Sequence, residues 1–168
     1  MDARRSIDFT GFAYPLFRIA MGVDLLMHGC TRLAAGPGHF AAGLVAQFRE
    51  TFLPAPLVYA FGWALTVLET AVGAGILLGL YLGPALVLGA ALMIALVFGT
   101  ALRSQWDIVT QQLIYALSYY VLLIKLDDRL TLDRLRRGRA ARNESSDLHY
   151  GLAPSTPSRK VTQTFTPL

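Results

Sequence analysis

Long apolar runs dominate this chain, and polar residues punctuate them instead of alternating with them. Four runs are each roughly 20–25 residues long, enough to cross a hydrocarbon core of about 30 Å as a helix. The pattern predicts spans over Thr10–Leu33, Pro56–Leu80, Leu82–Leu102 and Asp107–Leu126. No charged residue lies between Glu69 and Arg103. That stretch is too long for one span, and Gly83-Pro84, after Tyr81, is the expected break. Between the first two spans, Ala34–Ala55 opens with Gly36-Pro37-Gly38 and closes with Pro54-Ala55-Pro56. Within it Phe40, Leu44, Val45, Phe48 and Phe52 recur at three- and four-residue spacing. That spacing predicts an amphipathic helix at the membrane surface or capping the bundle. The expected fold is all-α, a four-transmembrane-helix bundle with an interfacial amphipathic helix between helices 1 and 2. Residues 1–9 form a short N-terminal segment, 10–132 the bundle and 133–168 a polar tail.

Composition strengthens this picture. Hydrophobic residues make up 54% of the 168 and charged residues 15%, and the mean hydropathy is +0.47. Such a chain is neither disordered nor a disulfide-stapled module, and it lacks the polar surface of a soluble enzyme. The net charge of +4 is localised: seven of the 15 Lys and Arg lie between Lys125 and Arg142, after the last apolar run. It is a topology signal rather than a nucleic-acid surface. With Arg4 and Arg5 at the N-terminus, and only Arg32, Arg49 and Arg103 on the opposite connections, both termini are expected to be cytoplasmic. A bacterial cytoplasmic (inner) membrane is the expected location, and the lipid bilayer the first partner. The polar start through Phe9, and the charges Arg18 and Asp24 in the following run, lead us to expect no cleavable signal peptide. The basic run Arg134, Arg136, Arg137, Arg139 and Arg142 precedes a Ser-, Thr- and Pro-rich tail. Such a segment is suited to docking onto other membrane-protein subunits.

Charges inside a span are costly, so each requires a reason. Counted at about 1.5 Å per residue from the cytoplasmic helix ends, Arg18 and Glu69 fall at similar depth. An Arg18–Glu69 ion pair is the economical expectation, either pinning helix register or serving a proton or quinone site. Asp24 and His28 are four apart and share a face. Together with Trp106, Asp107, Gln111 and Gln112 at the start of the last span, they are expected to form one polar cluster near the outer leaflet. A His beside a carboxylate moves protons near neutral pH, and Gln amides hold a quinone carbonyl. A quinone is the cofactor this cluster would take; the alternative is a satisfied polar network that fixes packing. Gly75, Gly79 and Gly83, and Ala91, Ala95 and Gly99, recur every four residues and are expected at helix contacts. No metal is expected: no histidine or cysteine spacing fits a ligand set, and Cys30 is the only cysteine.

Several segments resemble one known family. Arg18-Ile19-Ala20-Met21-Gly22, then Leu26-Met27-His28-Gly29 and Arg32-Leu33, look like the opening helix of the DoxX/DoxD-like membrane proteins. Leu68-Glu69-Thr70-Ala71-Val72-Gly73, running on to Leu77-Leu78-Gly79-Leu80, resembles the family's helix with a buried Glu. Arg129-Leu130-Thr131-Leu132-Asp133-Arg134-Leu135 is similar to the motif that closes many members. The resemblance covers about Tyr14 to Leu135 and implies a four-helix membrane bundle with Arg18, His28 and Glu69 as its polar positions. DoxD relatives are linked to thiosulfate oxidation with quinone as acceptor, and others resemble accessory partners of redox or oxidative-stress complexes. Many relatives carry a carboxylate early in the last helix, where this chain has Gln111 and Gln112, a departure that weighs against redox chemistry. Three functions are therefore in view. The first is a non-catalytic accessory or structural subunit of a larger redox or energy-transducing complex, the second a quinone-linked oxidoreductase subunit. The third, a small-molecule transporter, is the weakest, because no repeat or broken helix is apparent.

Overall fold

The structure, a computed structural model, describes residues 10–126 and 131–134, all of which fall within the unit Met1–Leu135. Among the described residues the architecture is all-α. Five helices follow in order: α1 (Thr10–Ala35), α2 (Pro37–Gln47), α3 (Ala55–Leu78), α4 (Leu82–Leu102) and α5 (Trp106–Ile124). Three of them, α3, α4 and α5, are long and apolar enough to cross a membrane. The 26-residue α1 is as long, but it carries Arg18, Asp24 and Arg32. The apolar core joins α1, α3, α4 and α5 through residues such as Met21, Leu25, Leu65, Ile76, Leu86 and Leu122.

The connections show where local chemistry ends each helix. Gly36, at φ 93°, turns the chain between α1 and α2, and Pro37 opens α2 where no amide partner is needed. The expected amphipathic helix is shorter than its spacing suggests. It stops at Gln47; Phe48 turns inward and is buried, whereas Phe52 lies beyond the helix and is 76% exposed. Gly79 ends α3 in the left-handed region (φ 66°). The Leu80 amide bonds the Gly75 carbonyl at 2.9 Å, closing the last turn. The break between the second and third spans therefore lies at Gly79-Leu80-Tyr81, not at Gly83-Pro84. Pro84 sits in the first turn of α4, where a missing amide hydrogen costs nothing.

One register governs α1 against α3. Gly22 faces Leu77, Gly73 faces Leu26 and Gly29 faces Thr70, each so closely that a side chain would collide with the opposite backbone. A Cβ on Gly22 would stand 2.6 Å from the Leu77 nitrogen. Elsewhere Ala41 of α2 seats against Gly62 of α3, and the Tyr119 ring of α5 lies over Gly89 of α4. The Tyr14 hydroxyl donates to the Leu122 carbonyl at 3.1 Å, linking α1 to α5.

The segment Thr131–Arg134 returns to the α3–α4 turn. Thr131 is buried against Gly79. The Asp133 amide bonds the Gly79 carbonyl at 3.2 Å, and the Asp133 carboxylate accepts the Leu82 amide at 3.2 Å. Asp133 thus supplies the acceptor that the N-terminus of α4 lacks in its own sequence.

Candidate functional site: a cationic cavity at one end of the bundle

At one end of the bundle the last turns of α1 and α4 meet α2 and the first turns of α3 and α5 around a cavity of about 210 Å³. Two arginines line it. Arg32, in the last turn of α1, pairs with Glu69 of α3, and its guanidinium carbon lies 4.3 Å from the centre of the Phe40 ring. Arg103, just past α4, bonds the Gln47 side-chain oxygen and lies 4.9 Å from the centre of the Phe48 ring. On the opposite wall the Thr100 hydroxyl donates to Gln112 Oε1 at 2.6 Å. Both cations rest on aromatic faces, which stabilises a guanidinium where water is scarce.

The expected Arg18–Glu69 pair is not what the helices make. Continuing the glycine register sets Glu69 opposite Cys30, within a turn of Arg32, and leaves Arg18 opposite Tyr81. Arg18 is then twelve residues along α1 from Glu69's level, roughly 18 Å away. There it is 1% exposed, and its Nη1 donates to the carbonyls of Ile76 and Leu77, the latter at 3.0 Å. These are carbonyls of the last turn of α3, where the Ile76 oxygen also accepts the Gly79 amide at 3.3 Å, and a cation there suits the helix dipole. Depth counted from predicted helix ends missed this, because the axial offset is set by glycines on both helices.

The expected outer cluster divides. Asp24 lies within electrostatic reach of Tyr115, and Asp24 and His28 both lie within reach of Glu69, with the His28 side chain exposed. Gln112 lies at the cavity with Thr100. Trp106, Asp107 and Gln111 are exposed on the first turns of α5. The inward polar face of α5 is instead Gln112, Tyr115 and Tyr119, at spacings of three and four.

The small-residue stripes also divide. Gly75 lies against α4 at Ala85, Gly79 against Thr131, and Gly99 against Phe48. Ala95 lines the cavity. Ala91 is exposed, and a side chain on Gly83 would meet nothing within 4 Å, so neither mediates a helix contact among the described residues. The close approaches belong to Gly22, Gly29 and Gly73. The seven-residue spacing of Gly22 and Gly29 on α1 is a readable signal. Of the basic tail, Arg134 is exposed; Arg136, Arg137, Arg139 and Arg142 lie outside the described residues.

Arg32, Gln47, Thr100 and Arg103 are the polar cavity residues that residue spacing alone does not single out. Burial draws the Arg103 guanidinium below its ordinary value. Among the described residues no group of three or more His, Cys, Asp and Glu is placed to hold a metal ion. No family model, curated protein or solved structure matches the chain.

Proposed function

We propose that the chain is a four-span integral membrane protein, α1, α3, α4 and α5 crossing the bilayer and α2 lying at its surface. In this reading it is an accessory subunit of a larger redox or energy-transducing complex in a bacterial cytoplasmic membrane. The observation that carries it is how α1 disposes of its charges. Arg18 is buried on backbone carbonyls and Arg32 turns to Glu69, while Phe12, Leu16, Val23 and Met27 face outward at 44–64% exposure. An outer face of that kind belongs against lipid or a neighbouring subunit. Arg18 and Glu69, the buried ionisable groups, are engaged in holding the bundle: Arg18 with α3, Glu69 with Arg32. That supports a structural rather than a catalytic role. The DoxX/DoxD resemblance agrees with both span number and accessory role.

The test is co-purification. Native membranes solubilised in a mild detergent should release the chain in a complex well above its own mass of 18.3 kDa, with other membrane subunits identified in the same band. A protein that migrates alone with its micelle defeats the reading. Truncation after Leu135 should weaken the complex where the basic tail docks.

The quinone-linked reading is favoured by Gln112 and Thr100 at the cavity beside the Arg32–Glu69 pair, a hydrogen-bonding wall next to a titratable group. Quinol binding that is equal in wild type, Gln112→Leu and Asp24→Asn would remove it.

A further inference from the structure

The cationic cavity does not stand alone. A second cavity, about 230 Å³, lies against it and is almost wholly apolar. Leu53, Leu57, Val58 and Phe98 line it, and it shares Phe48, Phe61, Ala95 and Gly99 with the cationic one. The two adjoin across these shared side chains, and taken together they are of a size with sites that hold small molecules (about 300–1,000 Å³). Their chemistry is opposite. One end offers guanidinium, amide and hydroxyl groups; the other offers only aliphatic and aromatic surface.

We propose that the two cavities together bind an anionic amphiphile, a molecule with a phosphate or carboxylate head and a single apolar chain. The head lies between Arg103 and Arg32, and the chain runs past Ala95 into the apolar compartment. Charge decides the sign of the head. Arg32 is already balanced by Glu69, whereas Arg103 has only the neutral Gln47 amide and the Phe48 ring. Among the described residues no carboxylate comes within ion-pair distance of Arg103, and its Nε is buried without a hydrogen-bond partner. A partly desolvated guanidinium in that state favours an anion, and its planar fork suits a phosphate or carboxylate. Position decides that a chain is attached. Arg103 directly follows the last residue of α4 and stands three residues before the exposed Trp106. That is the level at which lipid headgroups meet aromatic anchors in a bilayer.

The experiment uses the full chain in nanodiscs of phosphatidylcholine, with 1-oleoyl-lysophosphatidic acid as the probe and native mass spectrometry as the readout. One molecule should bind saturably. Lysophosphatidylcholine of the same chain should bind roughly tenfold more weakly or worse, and inorganic phosphate should not compete at equal concentration. Arg103→Gln should lose roughly tenfold in affinity. Ala95→Phe, which fills the neck between the compartments and leaves both arginines in place, should lose as much. Arg49→Gln, an exposed arginine of the α2–α3 connection, should bind like wild type. Equal binding of the charged and zwitterionic lipids overturns the proposal, as does wild-type affinity in folded Arg103→Gln or Ala95→Phe. Full competition by inorganic phosphate overturns the role of the chain. Should Arg103→Gln not fold, Ala95→Phe and the headgroup comparison in wild type still decide.

Discussion

The two ends of the bundle each hold an arginine against a helix terminus, and they use it differently. At the α3–α4 turn, Arg18 is 1% exposed and its guanidinium fills the carbonyl end of α3. Thr131 and Asp133 close over the same turn. At the other end, Arg103 follows α4 with a ring beneath it and a cavity beside it. The first arginine is consumed by the fold, because every direction around it is filled by protein. The second keeps donor capacity: its Nε has no hydrogen-bond partner, and a cavity of about 210 Å³ lies beside it. Residue type does not separate the two arginines; the volume left around each guanidinium does.

The largest effects should come from the closed end. Arg18→Ala removes the donor to two buried carbonyls and leaves a void, at a cost of about 4 kcal/mol. Thermal unfolding in detergent, followed by helical circular dichroism, should show a collapse of the melting temperature or no folded protein. A loss under about 1 kcal/mol would mean that Arg18 is no more than a surface cation folded inward. Glu69→Ala should cost about 3 kcal/mol, because it strands the Arg32 charge. The cycle sharpens the comparison: Arg32→Ala with Glu69→Ala should be strongly non-additive, whereas Arg18→Ala with Glu69→Gln should add. Coupling in the second pair but not the first would reverse the register described above.

Much of this fold is legible in the sequence. The uncharged stretch from Glu69 to Arg103, too long for one span, predicts a helix over Leu82–Leu102, the bounds the structure gives, although the turn before it is made at Gly79-Leu80-Tyr81 and not by the expected Gly83-Pro84. Helix existence depends on local runs of apolar residues, which a chain displays openly. Partnership depends on axial offset between helices, which it does not. Arg32 and Glu69 are 37 residues apart, and Arg103 and Gln47 are 56 apart. The first meeting follows from the seating of Gly22, Gly29 and Gly73 between α1 and α3, so a depth count from helix ends picks the wrong arginine. The Arg103 cavity was hidden for a second reason. It is an absence of side chain, created where Phe48 leaves α2 early and folds against Gly99.

Intermediate effects should follow the glycines. Gly29→Val drives a branched side chain into the Thr70 backbone and should cost about 1–3 kcal/mol through forced separation of α1 and α3. Gly83→Ala, on a helix with open space at that position, should be neutral or gain up to about 1 kcal/mol. Equal losses at both sites would erase the distinction between glycines that set register and glycines that merely occupy a helix.

The smallest effect tests how tightly the closed end depends on its cap. Asp133 contributes one carboxylate bond to the Leu82 amide, and the neighbouring Thr131 remains in place to cover Gly79. Asp133→Ala should therefore cost about 0.5–2 kcal/mol, the ordinary value of a helix N-terminal cap. Asp133→Asn retains an acceptor oxygen and should recover most of it. The readout is the melting temperature, together with amide exchange at the first turn of α4, which should quicken in the alanine variant and leave the Arg103 end unchanged. Were the loss to spread to the cavity end, so that lysophosphatidic acid binding fell with it, the two ends would be mechanically coupled through α4. Their separate uses of arginine would then be one device. A loss confined to the first turn of α4 keeps them apart, as the packed middle of the bundle between Leu86 and Met93 predicts.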